Sequence, residues 1–236
     1  MICITFSYLY SMKNECLDCG CVMKSAGTFK SCQMEQLENN HAVINFNKGD
    51  SIIKQGMFST NVVFLRKGLA KIHLAGPYHE QIIRLIKAPS YMGLPTTIGN
   101  KINQYSVTAV LDSEVCFIDL GVFHRLLEEN KEFSSYIILE LCKSELEIYK
   151  RCSNRTQKQT RGNVADVLLE FSDNIFDSDE FMMPISQSEI GNWVDSSRES
   201  INRILSEFMN DGLIAVDGKK VNILNKRSLI KVSQNG

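Results

Sequence analysis

The chain has 236 residues, of which 44% are hydrophobic, a composition that is ordinary for a globular protein with a large core. The formal net charge of −1 excludes nucleic-acid binding through total charge, so any such binding needs a local basic patch. No stretch approaches the roughly 18 to 20 apolar residues of a membrane span. The opening MICITFSYLYS lacks the basic region and cleavage site of a secretory signal, and Met12 is an alternative translation start to Met1. We therefore expect no membrane partner and a cytoplasmic location.

Residues 1–40 form a segment that is rich in cysteine. Cys16, Cys19 and Cys21 lie close together, Cys32 follows, and the whole chain has eight cysteines. Because the composition is that of an intracellular protein, we expect reduced thiols or metal ligation rather than structural disulfides.

Residues 41–122 contain short apolar runs separated by glycine. Such runs, with a turn signal about every ten residues, predict an antiparallel β barrel or sandwich. Residues 123–161 then read as a long helical region with only polar interruptions. One of its faces has apolar side chains at steps of three and four: Leu139, Cys142, Leu146 and Tyr149. This face packs either on the barrel or on a second copy of the chain.

Residues 162–236 carry the most specific pattern, which is two helices joined by a tight turn. Ser186 and Glu189 have the spacing of a capping box, so a short helix begins after Ser186. A second box, Ser196 with Glu199, predicts the start of another helix.

The second helix has two contrasting faces at about 100° per residue. The apolar face contains Ile201, Ile204, Leu205, Phe208 and Met209. The polar face contains Arg198, Glu199, Asn202, Arg203 and Ser206. Guanidinium, carboxylate and amide groups pair with base edges in the major groove of DNA, although the polar face of an isolated helix is more often merely solvated.

A predicted hairpin decides between these two interpretations. Asp211-Gly212 ends the second helix, and the apolar strands Leu213–Val216 and Val221–Leu224 flank Asp217-Gly218. A hairpin in this place is a wing, so the segment predicts a winged helix-turn-helix domain and favours DNA binding. Two basic runs could supply a local patch: Lys150, Arg151, Arg155, Lys158 and Arg161, or Lys219, Lys220, Lys226 and Arg227.

The stretches SQSEIG, SRESINRIL and DGLIAVDGKKVNIL resemble the C-terminal domain of Crp/Fnr-type transcription regulators. The triplet of Arg198, Glu199 and Arg203 is similar to the base-reading triplet of the Crp branch, and Asn202 stands where relatives have a smaller residue. The layout from about His41 to Leu120 resembles the jelly roll of cyclic-nucleotide-binding domains. The resemblance implies a homodimer formed through the long helix, double-stranded DNA with a palindromic site as a partner, and contact with the transcription machinery.

The resemblance also implies a set of DNA-binding residues and a half-site similar to TGTGA. The residues are Ser186, Gln187, Arg198, Glu199, Asn202, Arg203 and Lys219. We expect Arg198, Glu199 and Arg203 to read bases, and Gln187 and Lys219 to contact phosphates whatever the sequence.

Cyclic-nucleotide receptors of this family hold the ribose with a Gly-Glu pair and the cyclic phosphate with an arginine about ten residues later. Here Leu94 follows Gly93, and no arginine lies between Arg84 and Arg125. A neutral group cannot replace the charge-assisted pairing to the phosphate, so we expect no cyclic AMP. The sequence does not identify another effector.

Fnr-type oxygen sensors, in the same family, ligate a 4Fe–4S cluster with three N-terminal cysteines and one from the barrel. By this resemblance Cys16 and Cys19 match two ligands, Cys116 matches the barrel ligand, and the third N-terminal ligand is either Cys21 or Cys32. The predicted set is Cys16, Cys19 and Cys21 with Cys116, or with Cys32 in its place. Zinc would accept the same thiolates. The alternative is a set of reduced thiols without metal, with Cys116 as a small apolar core residue.

We interpret the chain as an α+β protein with an N-terminal antiparallel β jelly-roll barrel, a long dimerisation helix and a C-terminal winged helix-turn-helix domain. The favoured function is effector- or redox-responsive transcription regulation through sequence-specific DNA binding. The sequence has no recognisable catalytic motif, so we expect that the protein is not an enzyme. The alternative function is a metal or iron–sulfur redox module without sequence-specific DNA binding.

Overall fold

The computed structural model describes residues 29–235. The expectations for the translation start and for Cys16, Cys19 and Cys21 lie outside this range. The chain divides into two compact units, of which one contains residues 29–74 with Leu85–Glu145 and the other contains Ala75–Arg84 with residues 146–235.

The first unit begins with helix α1 (Ser31–Asn39) and contains most of two four-stranded sheets, because residues 75 and 80–84 of their strands belong to the second unit. The strands are β1 (His41–Phe46), β2 (Ser51–Ile53), β3 (Asn61–Lys67), β4 (Leu69–Ala75), β5 (Glu80–Lys87), β6 (Ser90–Met92), β7 (Ser106–Ala109) and β8 (Ser113–Asp119). Their order is β1-β8-β3-β6 in one sheet and β2-β7-β4-β5 in the other. Strand β8 pairs antiparallel with β1 and β3, and β7 pairs antiparallel with β2 and β4. The predicted jelly-roll barrel is therefore confirmed.

Gly68 makes the turn between β3 and β4. Its φ is +100°, and a Cβ atom at this position would lie 2.6 Å from the carbonyl oxygen of Asp112. Because any side chain would collide with backbone, this turn requires glycine.

Two helices contribute side chains to an apolar cluster with strands β3 and β8. They are α3 (Leu120–Glu129) and α4 (Lys131–Gln157), while a shorter helix, α2 (Leu94–Gly99), lies between β6 and β7. Phe64 and Cys116 from the strands join Phe123 and Phe133 from the helices in one apolar cluster. Burial of each phenylalanine side chain stabilises the unit by about 1.5–3 kcal/mol.

The predicted helical region is interrupted at Asn130. The Asn130 side-chain oxygen accepts a hydrogen bond from the Phe133 amide at 3.0 Å, which caps a new helix. Helix α4 is 27 residues long, and its buried residues are Phe133 and Ile137. Its other described residues are half-buried or exposed, and several of its charged side chains form ion pairs, such as Arg151 with Glu170.

The second unit contains a three-stranded sheet and four helices. The helices are α5 (Thr160–Leu169), which continues as a π-helical turn (Glu170–Phe176), α6 (Gln187–Val194), α7 (Arg198–Asn210) and α8 (Lys226–Asn235). The strands are β9 (Glu180–Met182), β10 (Ile214–Asp217) and β11 (Lys220–Ile223), in the order β10-β11-β9. Phe171 lies at the centre of this unit, with ring centroids 5.9 Å from Trp193 and 5.8 Å from Phe181. Within residues 29–235, no helix is long and apolar enough to cross a membrane.

Candidate nucleic-acid interface

Helix α6 begins where the sequence predicts it. The Ser186 hydroxyl accepts a hydrogen bond from the Glu189 amide at 3.2 Å, and the Ser186 amide donates to the Glu189 carboxylate at 2.9 Å. The predicted capping box is confirmed. Ser186 is exposed and Gln187 half-buried, so both stand at a helix N-terminus, where amide groups and the helix dipole favour phosphate.

The turn between α6 and α7 depends on a close backbone approach at Gly191. A Cβ atom on Gly191 would lie 2.5 Å from the carbonyl oxygen of Ser196. The Ser196 amide donates to the Gly191 carbonyl at 3.0 Å, and Asp195 has the left-handed conformation with φ 59°. Sequence reasoning did not single out Gly191, although a glycine in the interior of a predicted helix was the available signal.

The N-cap of helix α7 is Ser197, and the predicted capping box of Ser196 with Glu199 is wrong. The Ser200 amide donates to the Ser197 hydroxyl at 3.2 Å. Ser196 lies one residue before this N-cap and belongs to the turn, because its amide donates to the carbonyl of Gly191. The helix starts at Arg198, so the polar residues keep their predicted positions.

Helix α7 separates apolar from polar side chains as predicted, with one exception. Four residues of the apolar face are buried: Ile201, Ile204, Leu205 and Phe208. Met209, which we expected in the core, is 39% exposed because it lies in the last turn, away from the packed face. Four residues of the polar face are exposed together: Arg198, Glu199, Asn202 and Arg203. Ser206 is half-buried and donates to the carbonyl of Asn202 at 2.9 Å.

Glu199 is held as a hydrogen-bond acceptor. Hydrogen bonds from its own backbone amide and from Ser197, with the nearby charge of Arg198, lower the pKa of the Glu199 carboxyl. A carboxylate at this position can accept from an exocyclic amine, as cytosine N4 requires in the major groove.

Arg203 has a neighbour that sequence analysis missed. Its Nη1 donates to Glu207 Oε1 at 3.0 Å, and the other oxygen of Glu207 accepts from Arg161 at 2.5 Å. The base-reading candidate is thus part of a small ionic group on the second unit.

The wing has the predicted form. Strands β10 and β11 pair antiparallel, with Asp217 opposite Lys220. The loop consists of Gly218 and Lys219, whereas the sequence predicted Asp217 and Gly218, so the turn lies one residue later than expected. Lys219 is exposed at the tip of this loop. The neighbouring Lys220 forms an ion pair with Glu180 at 2.6 Å, so its charge is compensated within the unit.

Four of the five residues in the first basic run have acidic partners, which disfavours the run as a DNA-binding patch. Arg151 pairs with Glu170 at 2.9 Å, and Lys158 pairs with Asp166 at 2.7 Å. Of the remaining members, Arg155 lies 3.5 Å from Asp195, and Arg161 pairs with Glu207 and Asp211. These pairs hold elements of the second unit together.

The stretch that would hold a cyclic nucleotide is packed with groups of the chain itself. Leu94 is only 4% exposed, in the core cluster of the first unit. The Thr96 hydroxyl donates to the Gly93 carbonyl at 2.9 Å and approaches the side-chain oxygen of Asn103 at 3.3 Å. An apolar buried residue therefore stands where the family's ribose ligand would be, and the nearby amide is already engaged.

Two of the five cysteines that were predicted as ligands lie in the part of the chain that the structure describes. Cys116 is 1% exposed, in the apolar cluster that also contains Leu37 and Phe133, whereas Cys32 is exposed on α1. Within residues 29–235, no group of three His, Cys, Asp or Glu side chains is arranged to hold a metal ion.

Comparison with known families matches both halves of the chain. Residues 43–130 match the cyclic nucleotide-binding domain, and residues 163–232 match the Crp-like helix-turn-helix domain. The chain belongs to the Crp/Fnr family of transcription regulators. Crp/Fnr proteins are transcription regulators with a DNA-binding helix-turn-helix and are not enzymes, which confirms this part of the favoured function.

Individual Crp/Fnr relatives are distant but extend over most of the chain. The transcriptional activator protein FnrA of Stutzerimonas stutzeri is 25% identical over 189 residues, which cover 77% of this chain and 76% of that protein. The fumarate and nitrate reduction regulatory protein of Vibrio cholerae is 22% identical over 229 residues, which cover 93% of this chain and 90% of that protein.

Solved structures of Crp/Fnr proteins share the fold. FixK2 from Bradyrhizobium japonicum aligns with a TM-score of 0.74 at 15% identity, covering 81% of this chain and 96% of that chain. A putative Crp/Fnr regulator from Eubacterium rectale also aligns with a TM-score of 0.74, at 19% identity, covering 88% of this chain and 96% of that chain.

Proposed function

We propose that this Crp/Fnr regulator binds a palindromic operator as a homodimer and reads each half-site with helix α7. The observation that carries the proposal is the exposure of Arg198, Glu199, Asn202 and Arg203 on one face, opposite the buried face of the same helix. A helix supported in this way can enter the major groove without losing its own core contacts.

The side chains have separate roles in this proposal. Arg198 and Arg203 donate to guanine O6 and N7, Glu199 accepts from cytosine N4, and Asn202 contacts a neighbouring base. The half-site therefore contains G·C pairs, as in the TGTGA half-site of the Crp branch. Three further residues contact the DNA backbone at the start of α6 and at the wing tip: Ser186, Gln187 and Lys219.

The exposed face of helix α4 supports the homodimer. Ile138, Leu139, Leu146 and Tyr149 are 59%, 58%, 66% and 60% exposed. A row of large apolar side chains along one helix is stabilised when a second helix covers it. A second copy is the occupant that we propose, because two recognition helices related by a twofold axis fit half-sites about one turn of DNA apart.

We also propose four functional segments: a cysteine-containing segment at 1–40, an effector-type barrel at 41–122, a dimerisation region at 123–161 and a DNA-binding domain at 162–236. The barrel senses a signal other than cyclic AMP, and the bound dimer contacts the transcription machinery. If the N-terminal cysteines bind zinc or an iron–sulfur cluster, we propose Cys16, Cys19 and Cys21 as ligands, with Cys116 as the fourth ligand and Cys32 as the alternative to it.

Electrophoretic mobility shift with fragments of the source genome tests this function. The full chain, purified without oxygen, is assayed under reducing and oxidising conditions, and its iron, sulfide and zinc contents are measured in the same preparation. We expect a few fragments to be retarded in the presence of excess competitor DNA. Equal retardation of all fragments under both conditions would contradict sequence-specific binding, and a metal-free protein with equal binding in air would contradict redox control.

A further inference from the structure

Glu207 joins two arginines on the second unit. Its Oε1 accepts from Arg203 Nη1 at 3.0 Å, one helical turn away, and its Oε2 accepts from Arg161 Nη1 at 2.5 Å. Both oxygens of one carboxylate are therefore engaged by different guanidinium groups.

Arg161 is itself fixed by its surroundings. Its Nη2 donates to Asp211 at 2.6 Å, and its guanidinium carbon lies 4.9 Å from the centre of the Phe208 ring. Phe208 is fully buried, so Arg161 is anchored on the core of the unit. Glu207 therefore pairs with an arginine that has its own ion pair with Asp211 and its own contact with the Phe208 ring.

Arg203 is more exposed than either partner. Its side chain is 68% exposed, against 37% for Glu207 and 33% for Arg161. A guanidinium has five N–H donors in a planar fork, and Glu207 occupies one nitrogen, so the remaining donors point away from the carboxylate. Guanine needs two parallel donors for O6 and N7.

We propose that Glu207 is a positioning residue that fixes the guanidinium plane of Arg203 for bidentate reading of one guanine, with Arg161 as its anchor. The inference rests on the proposed role of Arg203. Binding to a base costs Arg203 conformational entropy, because its side chain must be held in one orientation. The Glu207 carboxylate already restricts the guanidinium before DNA binds, so this entropy cost is smaller. A mismatched base gains less, because it cannot use both donors in that fixed plane.

The test compares Glu207→Gln with Asp211→Asn, which removes the same charge from the same ionic group without touching Arg203. Removing either charge strengthens binding to all DNA, so Asp211→Asn is the reference for electrostatics. Relative to it, we expect Glu207→Gln to bind the operator more weakly, by roughly two- to tenfold per half-site. The preference for the correct base at the one base pair contacted by Arg203 falls by a similar factor, while the base preference at every other position is unchanged.

Other results would overturn the inference. If Glu207 only competes with DNA for Arg203, Glu207→Gln binds the operator more tightly than Asp211→Asn and keeps the same discrimination. Equal behaviour of the two variants would also contradict positioning. Glu207→Asp, which keeps the charge but shortens the reach, is the second variant and should lose the same discrimination if Glu207→Gln fails to fold.

Arg203→Ala in the same assay separates this inference from the proposed function. If the wild-type protein has no preference at any base pair, or Arg203→Ala leaves the preference unchanged, the proposed function fails. If Arg203→Ala abolishes the preference at one base pair and Glu207→Gln retains it, only the positioning role of Glu207 fails.

Discussion

At Gly191 the absence of a side chain is a structural requirement of the DNA-binding unit. The carbonyl oxygen of Ser196 lies 2.5 Å from the place where a Cβ atom would stand. Backbone cannot yield as easily as the end of a flexible side chain, so a methyl group here must push α6 and α7 apart. The angle between these helices sets how α7 meets DNA.

We predict that Gly191→Ala destabilises the protein by about 1–3 kcal/mol, the usual cost of forcing a methyl group into a packed site. Thermal unfolding measures the loss, and DNA binding should weaken more than stability alone explains. Gly99→Ala is the control, because nothing lies within 4 Å of its Cβ position. A Gly191→Ala variant as stable as Gly99→Ala, with unchanged DNA binding, would contradict this account of the turn.

Single residues could be predicted where their partners are close in sequence. Ser186 and Glu189 are three positions apart, so their capping box was readable. The second cap was misplaced by one residue, because the choice between Ser196 and Ser197 depends on a turn that neither residue specifies alone. The pairing of Arg161 with Glu207 spans 46 positions and carries no local signal, so the support of Arg203 could not be predicted.

At the scale of elements, periodicity identified the exposed face of α4. Leu139, Leu146 and Tyr149 are exposed as a row, while Phe133 and Ile137 are buried on the opposite side. Sequence alone left open whether this row packs on the barrel or on a second copy. For Ile138 and Leu139, which belong to the same unit as the barrel, the barrel interpretation is disfavoured, because a side chain packed on the barrel would not be more than half exposed.

Cys142 lies near the middle of this row and supplies a direct test of the dimer. In a parallel twofold pair of helices, residues in the centre of the contact face their own counterparts. We predict that a short thiol cross-linker joins two wild-type chains through Cys142. Cys152 is also exposed but is rotated by roughly 80° around the helix, so it is the matched control.

Three variants make the cross-linking result decisive. Cys142→Ser should lose the cross-linked dimer, Cys152→Ser should keep it, and Leu146→Glu should shift the protein to monomer in analytical ultracentrifugation. A monomeric wild-type protein, or a cross-link that needs Cys152 and not Cys142, would contradict the proposed packing of α4.

At the scale of the whole molecule, the chain keeps the barrel of a cyclic-nucleotide-binding domain but lacks the ligands of that domain. The fold was predictable because strand spacing and turns are local patterns that many sequences satisfy. For the ligand, the sequence predicted only that cyclic nucleotides do not bind, because Leu94 and neutral amide side chains stand where the family has a charged ribose ligand and a charged phosphate ligand. The burial of Leu94 could not be predicted, because it depends on a cluster whose members extend from Leu37 to Ile137. The contact of Thr96 with Asn103 spans only seven residues, but it belongs to no recognisable sequence motif.

We predict that isothermal titration calorimetry detects no micromolar binding of cyclic AMP or cyclic GMP to the full chain. An unpaired cyclic phosphate beside Leu94 loses hydration and gains no opposite charge. Micromolar binding would contradict this expectation, and it would direct attention to Arg84 and Lys101 as phosphate ligands.

The central claim is that α7 reads a palindromic operator through Arg198, Glu199 and Arg203. Selection from randomised duplexes, followed by sequencing of the bound pool, tests it most directly when wild-type protein is compared with Arg203→Ala and Lys219→Ala. We predict that wild type enriches a palindrome with G·C pairs. Arg203→Ala relaxes one base pair in each half-site at a cost of about 1–3 kcal/mol, and Lys219→Ala weakens all sequences alike. Enrichment of the same motif, with the same preference at every position, by Arg203→Ala would contradict the claim.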